Sequence, residues 1–123
     1  MPRLEKEYQD LLEKAEKLSD SFSLVWQDDF TFNQSAKDLE FRLAPYLILE
    51  ERVSKWPGTE LSEIKATLRK YEVTSDSIEI LKIIGGVYNW QSPSYPEDLT
   101  FYIANDPWFI SIAHEHDSWF TKT

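Results

Sequence analysis

Ile110 to Phe120 reads ISIAHEHDSWF, and it holds both histidines of the chain, His114 and His116, beside Glu115 and Asp117. Imidazole and carboxylate groups at this spacing suggest a metal site or an acid–base pair. Two histidines one residue apart on a strand share a face and can ligate zinc together, but a catalytic zinc needs a third protein ligand and a structural one a fourth. Glu97, Asp98 and Asp117 are the candidates for those places. If Trp108 to Glu115 is one straight strand, His114 shares an apolar face with Trp108, Ile110 and Ile112 and sits at the rim of the core. Phe109, Ser111, Ala113 and Glu115 then take the opposite face. Direct proton exchange between His114 and Glu115 is excluded by that alternation, whereas His114 with Glu97 or Asp98 makes better geometry. His116 joins His114 only if the strand runs straight through it. HEH also lacks the HExxH spacing, which puts two histidines one helical turn apart. The pair is therefore read as structural or interfacial. His114 and His116 remain the metal candidates, and no metal or cofactor is expected.

A second group of residues suits recognition better than chemistry. No Lys or Arg occurs between Lys82 and Lys122, a stretch that carries Glu97, Asp98, Asp106, Glu115 and Asp117 among nine aromatic residues. Aromatic side chains amid carboxylates suit the capture of a basic protein surface. Trp90, Tyr95, Glu97, Glu115 and Asp117 are the expected partner-binding residues. In YPEDL, Asp98 is expected to bond nearby backbone amides and fix its loop, leaving Glu97 to face a cationic partner.

These residues need elements to hold them. Leu4, Tyr8, Leu11, Leu12, Ala15 and Leu18 recur at spacings of three and four, which predicts an amphipathic helix over Arg3 to Ser19. In SFSLVWQDDFTF, Phe22, Leu24 and Trp26 alternate with Ser23 and Gln27 but Val25 breaks the pattern, which leaves either a short strand with a turn at Asp28–Asp29 or an irregular aromatic segment. Ser35 with Asp38 has capping-box spacing and opens a helix that Pro45 ends near Ala44. Tyr46–Ser54 reads as a strand. Trp56–Thr59, WPGT, is a turn with Pro57 and Gly58 central and a positive φ at Gly58. Ile64–Val73 is the next strand; its apolar parity changes between Leu68 and Tyr71, which a bulge near Arg69–Lys70 reconciles. Asp76 and Glu79 open a helix from Ser77 to about Tyr88, with Gly85–Gly86 marking a close backbone approach or an early helix end. QSPSYPED is a loop. Leu99–Ala104 and Trp108–Glu115 are strands joined by a hairpin at Asn105–Pro107, and SWFTKT is a last strand.

Composition narrows the classes. A chain of 123 residues, 41% hydrophobic and 15% aromatic, is read as a single globular domain over 1–123 with its own core. The absence of cysteine excludes disulfides and thiolate metal sites. The charged N-terminus lacks the apolar core of a signal peptide, and no apolar run approaches a membrane span. A cytoplasmic location is expected, with no membrane partner. A net charge of −9 repels phosphate backbones, so nucleic acid is not an expected ligand. Phosphate loops and nucleophile elbows are absent from the sequence.

Three separated motifs carry a family resemblance: WPGT at Trp56–Thr59, YNWQSPSYPEDLTFY at Tyr88–Tyr102 and WFISIAHEHDSWF at Trp108–Phe120. Together they resemble a family of small, acidic, uncharacterised bacterial proteins, many labelled "stage III sporulation protein AH". The resemblance spans roughly the last 70 residues. The family resemblance implies no particular activity; separately, proteins of this size, charge and kind resemble immunity proteins encoded beside secreted toxins, an analogy of class and not a motif match.

The expected fold is α+β, an antiparallel sheet of about four or five strands with helices packed on one face. The expected function is a non-catalytic acidic binding protein, an immunity protein that neutralises a cognate toxin through a basic surface. The second reading is a small metal-dependent or hydrolytic enzyme centred on His114 and His116. The third is a regulatory or scaffold module.

Overall fold

A computed structural model describes residues 2–121, with side chains described from Lys6 onward. The fold is α+β, with three helices and a six-stranded antiparallel sheet, one strand more than the upper expectation. In chain order the elements are α1 (Pro2–Leu18), β1 (Ser21–Gln27), α2 (Gln34–Leu43), β2 (Leu47–Val53), β3 (Lys55–Trp56) and β4 (Thr59–Glu60). β5 (Ala66–Glu72), α3 (Ser75–Lys82), β6 (Glu97–Ile103), β7 (Asp106–Ile112) and β8 (Asp117–Phe120) complete it. The large sheet runs β2-β5-β1-β6-β7-β8, and β3 and β4 form a separate hairpin. No helix among the described residues is long and apolar enough to cross a membrane.

All three helices cover one face of the sheet. Tyr8, Leu11, Leu12 and Ala15 of α1, Leu39 and Leu43 of α2, and Ile78 and Leu81 of α3 pack with Phe22, Leu24 and Trp26 of β1 and with Leu99 and Phe101 of β6. The amphipathic stripe in α1 is as expected, except that Leu18 is half-exposed; Leu4 lies outside the described side chains. The second face is covered in part by the β3–β4 hairpin, whose Trp56 packs on Val25, Ala66 and Leu68.

Two covered faces explain both breaks in alternation. Val25 serves the hairpin side while Phe22 and Leu24 serve the helix side. Likewise Ala66 and Leu68 face the hairpin and Tyr71 faces the helices, so β5 needs no bulge at Arg69–Lys70. The irregularity lies in the neighbouring strand: Leu47 pairs with Tyr71 and Leu49 with Lys70, leaving Ile48 as the extra residue of β2.

Helix ends differ from expectation for local reasons. α2 is capped by Asn33 without a side-chain bond, and the Ser35 hydroxyl instead donates to the Ser94 carbonyl at 2.6 Å. α3 starts at a capping box formed by Thr74 and Ser77, not at Asp76 and Glu79. It ends at Lys82, and Gly85 takes φ +88, the early-end alternative for the glycine pair. Gly58 takes φ +90, as the WPGT turn demands. The β6–β7 turn falls on Ala104 and Asn105, with φ of 51 and 70, one residue before the expected position. Positive φ at both central residues is the geometry whose twist matches a two-residue hairpin. The last strand stops at Phe120; Lys122 and Thr123 lie outside the described residues.

Candidate functional site

β6 carries a bulge that decides where the chemistry sits. Ser23 of β1 pairs with Thr100, but Val25, two residues on, pairs with Glu97, so β6 contains one extra residue. Asp98 occupies the kink with φ 61, a left-handed conformation that Asp adopts more readily than most residues. Ordinary alternation would send Glu97 to the helix face with Leu99 and Phe101. The bulge turns it to the hairpin face beside Asp98. Two adjacent carboxylates thus point the same way under the Trp56 hairpin.

Both are buried, Glu97 at 4% exposure and Asp98 at 1%. Gln27 Nε2 donates to Glu97 Oε1 at 3.0 Å. Trp56 Nε1 donates to Asp98 Oδ2 at 2.9 Å, and the Ala113 amide donates to Asp98 Oδ1 at 3.0 Å. Asp98 therefore ties the hairpin and the end of β7 to β6; the amide it takes belongs to a neighbouring strand end, not to its own loop. Burial raises the Asp98 pKa above its ordinary value, the bonds from Trp56 and Ala113 oppose the shift, and the Glu97 charge adds to it. Glu97 does not face solvent, because the bulge and its Gln27 bond hold it inside.

His114 completes a cluster with these carboxylates. One ligand atom each from Glu97, Asp98 and His114 lie within 4.8 Å of one another. This arrangement differs from a straight strand to Glu115. Trp108 is an extra residue in β7: Phe101 pairs with Phe109 and Tyr102 with Pro107, and Trp108 and Phe109 both enter the helix-side core. Ile110 and Ile112 instead face the hairpin, where they flank Gly58. The strand stops at Ile112, and Ala113–Glu115 form a single 3-10 turn. His114 is exposed, with its Nε2 3.7 Å from Glu115 Oε2, and does not sit at the rim of a Trp108–Ile112 face. His116 takes φ 51 and stacks on Tyr88 at 5.0 Å between ring centroids. The two histidines therefore diverge, and the partners of His114 are the buried carboxylates. The approach of His114 to Glu97 and Asp98 is the pairing the sequence favoured; the bulge in β6, which strand alternation does not signal, is what buries both carboxylates on one side.

The five expected contact residues do not form one face. Trp90 is fully buried; its Nε1 donates to the Tyr8 hydroxyl at 3.2 Å, and that hydroxyl donates to the Leu81 carbonyl at 2.6 Å. This chain links α1 to α3 and makes Trp90 a core residue. Tyr95 is half-buried with an edge-on contact to Trp90 at 5.9 Å. Glu97 is inside. Glu115 and Asp117 are exposed, as are Trp119 and Phe120 beside them on the edge strand β8.

The C-terminal stretch is cation-free in sequence but not in space. Lys14 from α1 lies 4.9 Å from the Phe120 ring, and Lys70 lies 4.2 Å from the Tyr102 ring. Between α1, the loop after α3 and β8 lies a cleft of about 500 Å³, walled by Tyr8, Leu11, Tyr88, Phe109 and Phe120. No protein-family model, curated protein or solved structure matches this chain.

Proposed function

We propose that this chain is a non-catalytic acidic binding protein that acts in the cytoplasm as an immunity protein, covering a basic surface of a cognate toxin. The observation that carries this reading is the exposed C-terminal stretch that presents Glu115, Asp117 and Trp119 on a chain of net charge −9. Exposed aromatics beside carboxylates supply contact area and electrostatic steering toward a cationic partner. The binding residues of this reading are Glu115 and Asp117 with the exposed Trp119; Trp90 and Glu97 are buried and Tyr95 is half-buried, so they are not part of it.

The test is co-expression with the product of the gene immediately upstream. A stoichiometric complex that silences that protein's toxicity, and that weakens when Glu115 and Asp117 are both reversed to Lys, is the expected outcome. A folded upstream product that stays toxic and unbound in the presence of this chain contradicts it.

A further inference from the structure

We propose that Glu97, Asp98 and His114 form a binding site for a divalent transition-metal ion, with Zn²⁺ the best fit. The first ground is the donor set. One imidazole and two carboxylates suit Zn²⁺, and three protein ligands leave a fourth position for water. Alkaline-earth ions prefer all-oxygen sites with more ligands, which this cluster does not provide.

The second ground is independent of the clustering. Glu97 is 4% exposed, and among the described residues the side chain that bonds its carboxylate is the neutral Gln27 amide, on Oε1. Asp98, equally buried, is held by the neutral indole of Trp56 and by a backbone amide. Neither carboxylate forms an ion pair with Lys or Arg among the described residues. Buried carboxylates side by side call for a proton or a cation to offset their charge. One oxygen of Glu97 lies within 4.8 Å of both other donors, so a cation bound there would meet all three groups.

The surrounding bonds fit the role. Trp56 and Ala113 orient Asp98 and Gln27 orients Glu97, as outer groups hold the ligands of a metal. A tetrahedral ion with bonds of about 2.1 Å brings its ligand atoms to about 3.4 Å from one another. The present span of 4.8 Å must therefore shorten. His114, exposed on a one-turn bend, is the group free to swing inward, while the two carboxylates stay fixed by the bulge. His116, stacked on Tyr88, takes no part.

Protein purified without a histidine tag and stripped with EDTA, titrated with ZnCl₂ by calorimetry, tests this site. One equivalent of Zn²⁺ is expected to bind with Kd well below about 1 mM. His114→Ala and Glu97→Gln should each weaken binding by about tenfold or more, and His116→Ala should leave it unchanged. His114→Ala alters an exposed side chain, so its fold, checked by thermal unfolding in EDTA, stays intact whatever Glu97→Gln does. The absence of saturable binding in the wild type overturns the site. So does binding that survives His114→Ala, or that is lost in His116→Ala. His114 neighbours Glu115, but the titration reads zinc and not a protein partner, so its failure is distinguishable from failure of the immunity reading.

Discussion

The indole of Trp56 donates to the Asp98 carboxylate across 2.9 Å, joining a surface hairpin to a bulge in the middle of the sheet. Asp98 reaches that indole because it sits in a left-handed kink, and its other oxygen takes the Ala113 amide where β7 ends. One side chain thus fixes three pieces of chain: the hairpin, the bulged strand and the turn that carries His114.

This burial gives stability a pH dependence of unusual sign. The folded-state pKa of Asp98 is raised, so below the ordinary carboxylate value of about 4 both states hold the proton. As pH rises, the unfolded chain loses its proton first and the folded chain keeps it, so the Asp98 contribution falls until pH passes the folded-state value. Urea denaturation of wild type and Asp98→Asn from pH 4 to 7 measures it. The stability of wild type relative to the variant should decline with pH; a rise would show that the hydrogen bonds outweigh burial. Asn replaces one acceptor with a donor facing an N–H group, so the variant is expected to be weaker overall, and the slope carries the information.

Gly58 is required twice over. Its φ of +90 disfavours any side chain, and a Cβ there would stand 3.1 Å from Ile112 Cγ1 and 3.2 Å from Ile110 Cγ2. Gly58→Ala should cost about 1–3 kcal/mol in denaturant unfolding. Gly86→Ala is the control, because its nearest neighbour is an Asn89 side-chain atom at 3.5 Å and its φ is not in the left-handed region. Equal losses at the two positions would mean that the hairpin does not rest on β7.

Trp90 and Trp119 separate core from surface. Trp90→Ala empties a fully buried site and breaks the link to Tyr8, and should cost about 3–5 kcal/mol. Trp119 is 36% exposed on the edge strand, and Trp119→Ala should cost far less than Trp90→Ala in the same urea titration. A Trp90 variant as stable as wild type would return that residue to the list of surface contacts.

Helix α1, the turn at Gly58 and strands β2, β5, β6 and β7 were legible because each rests on local periodicity or on a residue with one conformational use, whereas the break at Val25 left β1, central in the sheet, open to two readings. What was illegible depends on partners distant in sequence. Val25 and Tyr71 looked like breaks in alternation only because one covered face was assumed; the Trp56 hairpin supplies the second. Trp90 looked like a surface anchor because composition shows how many aromatics there are and not which of them the helices cover. Glu97 was placed outside because carboxylates usually are, and the bulge at Asp98 reverses its side. His114 was assigned by parity through a strand that ends two residues earlier, at Ile112. Glu115 and Asp117, beyond the last long strand, fall on the surface where their polarity alone would put them.

The kinetics of association with the cognate toxin that the immunity reading proposes test the central claim most directly. Glu115→Lys/Asp117→Lys and wild type are compared by stopped-flow at low salt and at about 0.5 M, where the screening length is only a few ångströms. The account predicts an association rate at least about tenfold slower for the variant at low salt, converging with wild type at high salt, with a smaller change in dissociation. Equal association rates for wild type and variant at low salt would contradict it.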